Sequence, residues 1–146
     1  MKKAEQIYLY KGSSEQRNYF ELEPVHETDK ERLLQAGVSA EKVVWATNIK
    51  KYALPFAAIS GQVNWRLHNL SEPAACNIQV DSLDWEEKLD LEKTVYLHFL
   101  MPDDFCQVSS WEFIATKKVL VVKSEPFLVR DVLKMFSVYV PVLKKF

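Results

Sequence analysis

The sequence predicts an α+β domain: a mostly antiparallel sheet of four to six strands with two or three helices packed against it. Three observations lead there. Helical signals lie early and late in the chain, period-two alternation fills the stretch between them, and turn residues bound the strand-length runs.

The elements follow in order. "IYLY" (7–10) reads as a first strand closed by "KGSS". Residues 15–23, with "YFELE", read as a strand, the alternative being a short helix capped by Ser13 or Ser14. Thr28 and Glu31 have the spacing of a capping box, and Gly37 suits the left-handed residue past a helix end, so a helix is predicted over 29–36. Ser39 can cap a second helix through "AEKVVWATNIKKYA", where Trp45, Ile49, Tyr52 and Phe56 recur at three- and four-residue steps. Pro55 limits its run, and the β-branched pair Val43-Val44 would equally suit a strand.

From Gly61 onward the period drops to two. Val63, Trp65 and Leu67 alternate with Asn64, Arg66 and His68, as in a half-buried antiparallel strand. "CNIQVDSL", "KTVYLHFL", "SSWEFIA" and "KKVLVVK" follow at strand length, the last two joined tightly around Thr116-Lys117-Lys118. "SEPFLVRDVLKMFSVYV" reads as a closing helix. Ser124 is its N-cap, Pro126 sits in the first turn, and Val129, Val132, Leu133 and Phe136 form its apolar face. Pro141 ends it and leaves "VLKKF" as a tail.

The 146 residues suit one globular domain with a core of its own, and 48% apolar against 27% charged residues argues against disorder. The net charge of −1 conceals a dipolar arrangement: residues 81–116 carry −7 and residues 117–146 carry +5. That balance excludes the basic footprint of a protein that coats nucleic acid. No apolar run reaches the roughly 18 residues of a membrane span, and "MKKAEQIYLYKGSSEQ" lacks the apolar core of a secretion signal. The expected setting is a reducing cytoplasm with Cys76 and Cys106 as free thiols.

"WRLHNLSEPAAC" (65–76) and "VYLHFLMPDDFC" (95–106) echo one another, each with a Cys eight residues past its His. Zinc sites use closely spaced ligand pairs, and strand parity turns both cysteines inward and both histidines outward, so no metal site is expected. No glycine-rich phosphate loop or G-x-S-x-G is present, and no cofactor is expected. Ser109-Ser110, His98 and Asp103-Asp104 supply the residue types of a triad, but a triad is a matter of geometry.

The segment "DSLDWEEKLDLE" (81–92) packs six carboxylates around one Lys and Trp85. It reads either as a solvated loop or as an acidic recognition surface with an aromatic anchor. In the second reading Asp84, Trp85, Glu86, Glu87, Asp90 and Glu92 form the contact, with Asp103 and Asp104 at its rim. Trp45, Trp65 and Trp111 are expected in the core and Trp85 partly outside. With no catalytic constellation, the expectation is a non-enzymatic inhibitor of a protein with a basic surface, of the kind bacterial immunity proteins represent against a cognate toxin such as a nuclease. The alternatives are a small enzyme or ligand-binding domain on the polar sheet face (Arg66, His68, Tyr96, His98), or an accessory structural subunit docking through "YVPVLKKF".

Overall fold

The computed structural model describes residues 7–141. Their elements run β1 (Leu9–Ser13), β2 (Tyr19–Phe20), β3 (Glu23–Pro24), α1 (Glu27–Gln35), β4 (Lys42–Thr47), α2 (Lys50–Ala58), β5 (Trp65–His68) and β6 (Asn77–Val80). They continue with β7 (Thr94–Leu100), β8 (Phe105–Gln107), β9 (Glu112–Ala115), β10 (Val119–Leu128), α3 (Val129–Leu133) and β11 (Val138–Tyr139). Eight strands form one sheet in the order β2-β10-β7-β1-β4-β9-β8, with β3 added on β4. A second sheet, β11-β6-β5, holds a parallel β11–β6 pair. The class is the expected α+β, but the main sheet is larger than four to six strands.

β7 lies inside the main sheet, between β1 and β10, and it is buried on both faces. Val95, Leu97 and Phe99 point to one side, where they join α2, α3 and the small sheet in the largest core cluster. Cross-strand partners share a face. Tyr10 therefore faces the same way as Phe99 and Thr47, and Trp45 the same way as Ile114. That alignment puts the cluster of Val25, Leu33, Val43 and Ile114 under α1 on this same side. Leu100 faces the other way, with Leu9, Phe20, Val44, Ala46, Ala115 and Val119. Phe105 of β8 and Phe20 of β2, from opposite ends of the sheet, both pack on that cluster, so the sheet covers it by curling around it.

Several sequence expectations shift for identifiable reasons. β1 begins later than "IYLY" and continues through Gly12 to Ser13, because β7 pairs with it as far as Ser13↔Tyr96. The 15–23 stretch divides into β2 and β3 on different strands. α1 forms, but its N-cap is His26 without a side-chain cap bond, so Thr28 lies inside the helix; Gly37 does take the left-handed conformation, φ +83°. The helix expected from Ser39 is instead β4 followed by α2, since Val43 to Thr47 pair with β1, β3 and β9. Pro55 lies within α2, which runs on to Ala58.

The closing helix shrinks to α3, because β10 stays in register with β7 down to Leu128↔Thr94. Pro126 is tolerated there because β2 pairs only with Val119 and Leu120, which leaves the edge beside Pro126 without a ladder to interrupt. Val122 is the extra residue of a bulge between Val121 and Lys123. β9 and β10 are not neighbours, so Thr116-Lys117-Lys118 is no hairpin turn. β8 went unforeseen. The tail residues 142–146 lie outside the described residues.

α2 rests directly on β1 at Gly12, where a Cβ would stand 2.2 Å from the Ala53 carbonyl oxygen and 3.0 Å from Ala57 Cβ. Helix backbone cannot move aside as a side chain would. Gly12→Ala is therefore expected to lower stability by about 1–3 kcal/mol, the usual range for overpacking, read as a reduced urea midpoint.

Candidate functional site

The carboxylates that are contiguous in sequence divide in space. Residues 84–92 precede β7, whereas Asp103 and Asp104 follow it in a turn at Pro102–Asp104. A seven-residue strand separates them, about 20 Å at the usual rise per residue. Asp103 and Asp104 therefore do not rim the 84–92 surface, a correction that follows from β7 being fully extended.

Intramolecular pairing removes more of the patch. Arg130 forms an ion pair with Glu92, and Lys117 Nζ lies 3.0 Å from Asp104 Oδ1. Asp84 accepts a hydrogen bond from Ser82 and sees Lys88 at 3.7 Å, which together hold its carboxyl below the ordinary carboxylate range. Asp90 Oδ1 accepts the Glu92 backbone N–H at 3.1 Å, closing a local turn. Glu86, Glu87 and Asp103 are exposed, and no ion pair engages them or Asp90 among the described residues.

The aromatic anchor also changes. Trp85 is half-buried with its indole on the main core, no more exposed in class than Trp45, Trp65 and Trp111. The side chain that stands in water is Leu83, 89% exposed. Alternation and parity gave no sign of it, because Leu83 sits in the turn that opens this segment.

The alternative ligand face does not assemble. Arg66 and His68 belong to β5 of the small sheet, Tyr96 and His98 to β7 of the main sheet. Arg66 Nε donates to Gln79 Oε1 at 2.8 Å, and Asn64 Nδ2 donates to Asp81 Oδ2 at 2.9 Å, so Arg66 is already engaged within the small sheet. The inward-cysteine, outward-histidine assignment holds for Cys76, buried, and His68, exposed. It fails for Cys106, exposed on edge strand β8, where Phe105 takes the inward place. It fails most clearly for His98, which is 0% exposed. Among the described residues no three His, Cys, Asp or Glu side chains gather where a metal would be held.

His98 is the most deliberately placed polar side chain of the interior. Nε2 lies 2.7 Å from Ser13 Oγ, and Nδ1 lies 2.8 Å from Ser124 Oγ. Phe20 meets the ring edge-on at 5.1 Å, and Lys11, also on that face, holds its ammonium 5.3 Å from the Phe20 ring. Burial lowers the pKa of His98 and of Lys11 alike. A neutral imidazole has one donor and one acceptor. The Ser13 hydroxyl gives its proton to the Glu15 carbonyl oxygen, so Nε2–H donates to Ser13 and Nδ1 accepts from Ser124. A base that activates a serine must instead accept that serine's proton. With the Ser13 proton directed at Glu15, the trio pins strands together rather than priming a nucleophile. Ser109 does not reach His98; its hydroxyl bonds Glu112. The parity of Lys11 and Ser13 with Leu9 was the signal that could have found this cluster.

Comparison of the chain with known protein families, with curated proteins and with solved structures returns no match. No helix of the described residues is long and apolar enough to cross a membrane.

Because the folded-state pKa of His98 lies below its ordinary value of 6.5, the unfolded chain takes up the proton first. The contribution of His98 is thus undiminished above about pH 6.5, and stability falls as pH drops below that until the folded-state pKa is passed. His98→Phe is expected to lose this part of the pH slope. It should also cost about 1–3 kcal/mol at neutral pH, because the Ser124 hydroxyl loses its acceptor while Ser13 keeps the Glu15 carbonyl oxygen. Urea midpoints at several pH values check both outcomes.

Proposed function

We propose that the chain is a non-enzymatic protein-binding inhibitor that covers a cationic surface of a partner, in the manner of a bacterial immunity protein acting on a cognate toxin, with a nuclease as the favoured class. One observation carries the proposal: Leu83 stands 89% exposed at the head of a segment whose Glu86, Glu87 and Asp90 carry no counter-cation among the described residues. Burying a leucine in an interface contributes about 1.5–3 kcal/mol. Carboxylates around such an anchor add orientation and speed of encounter. A nuclease site is cationic because it must hold phosphates, so this combination is complementary to one.

The contact is narrower than the sequence suggested. It comprises Leu83, Glu86, Glu87 and Asp90, with Trp85 holding the segment to the core and Asp84 and Glu92 engaged with Lys88 and Arg130.

Two variants separate specific docking from general attraction between opposite charges. Leu83→Asp adds negative charge while removing the anchor; Glu86→Lys/Glu87→Lys/Asp90→Lys keeps the anchor and reverses the field. In affinity capture from the native host at low salt, both are expected to weaken retention of the partner by about tenfold or more. Undiminished capture by the triple variant would remove the proposal. Stronger capture by Leu83→Asp would reduce it to nonspecific electrostatics.

A further inference from the structure

A cleft of about 450 Å³ opens between the first turns of α2, strands β7 and β10, and Met135 beyond α3. Leu54, Leu97, Phe127 and Met135 form apolar walls, with Lys50 and Lys51 at one side and Glu125 at the other. A second cleft of about 260 Å³ lies beside it, with Lys51 and Met135 in the walls of both. Here Asn77, Lys134 and Ser137 line the wall beside Lys51, and Asn77 Oδ1 is a buried acceptor without a hydrogen-bond partner.

The cations are placed but not consumed. Lys51 lies over the Phe136 ring at 4.8 Å and donates to the Pro73 carbonyl oxygen at 2.9 Å. A lysine has three donors, so two remain. Among the described residues the ion pair of Lys134 is with Asp131, at 3.9 Å and largely in solvent. Lys50 sits 4.8 Å from the Phe99 ring, an attraction that leaves its charge available to an anion. Three lysines thus line the adjacent clefts, with Glu125 on the wall of the first.

We infer that the two adjacent clefts together bind a small aromatic anion. Its planar body lies against Leu54, Leu97, Phe127 and Met135. Its phosphate or carboxylate head lies between Lys51 and Lys134. The first cleft has the size of small-molecule sites, about 300–1,000 Å³. The site shares no residue with the 83–90 surface and does not depend on the inhibitor reading.

Equilibrium binding of three probes to the full chain tests this: 1-naphthyl phosphate, 2-naphthoate and neutral 2-naphthol. At least one anion is expected to saturate a single site, with naphthol weaker by about tenfold or more; comparing the two anions distinguishes a phosphate from a carboxylate head. Lys51→Met/Lys134→Met retains the apolar stems and is expected to abolish the preference for the anion. Met135→Trp fills the shared wall and is expected to block all binding. Absence of saturable anion binding, equal affinity for naphthol, or binding unaffected by Met135→Trp would each overturn the inference. Should the double lysine variant fail to fold, Met135→Trp, at a site 42% exposed, still decides.

Discussion

The His98 imidazole, buried between Ser13 of β1 and Ser124 of β10, fixes the register of the three central strands. Each ring nitrogen meets a hydroxyl only when Lys11, His98 and Ser124 stand opposite one another across the sheet. A slip of one residue would turn the imidazole into the apolar side occupied by Leu97 and Phe99, and would take from Ser13 its donor and from Ser124 its acceptor. Register here is held by polar chemistry as well as by the hydrophobic pattern.

Much of the remaining architecture follows from that register. It places Gly12 opposite Leu97, which gives α2 its close seat on β1. It places Glu125 and Phe127 beside Leu97 and Val95, on the side where α2 brings Lys50 and Lys51. The cleft is therefore built on rigid strands, with α2 as its basic wall. The same extended β7 holds the 84–92 acids away from Asp103 and Asp104, so one strand both creates the cleft and divides the acidic run.

The surface charges show how little a linear charge count says about a field in space. Arg130 and Lys117, from the basic end of the chain, meet Glu92 and Asp104 of its acidic centre. Arg32 spans Asp29 of its own helix and Glu112 of β9, which ties α1 to the main sheet. Exposed pairs of this kind contribute about 0–1 kcal/mol each. They leave Glu86, Glu87 and Asp90 as the part of the acidic run without an ion pair among the described residues. Leu83 then gives that remainder an apolar centre.

Local pattern determined those elements whose burial repeats at a single period. Alternation marked β5, strand-length runs marked β6 and β7, Gly37 marked the end of α1, and Val129 and Val132 proved buried in α3, with Phe136 buried beyond it. It misled at Trp45, Ile49, Tyr52 and Phe56, whose helical spacing arises because a strand and a helix each supply part of it. Tertiary structure alone decided that Val43 to Thr47 extend, that β10 runs past Pro126, that His98 is buried, and that Leu83 stands in water beside a half-buried Trp85. Each of those outcomes depends on which distant strand or core lies alongside, and the free energy of such pairing is absent from any short window of residues.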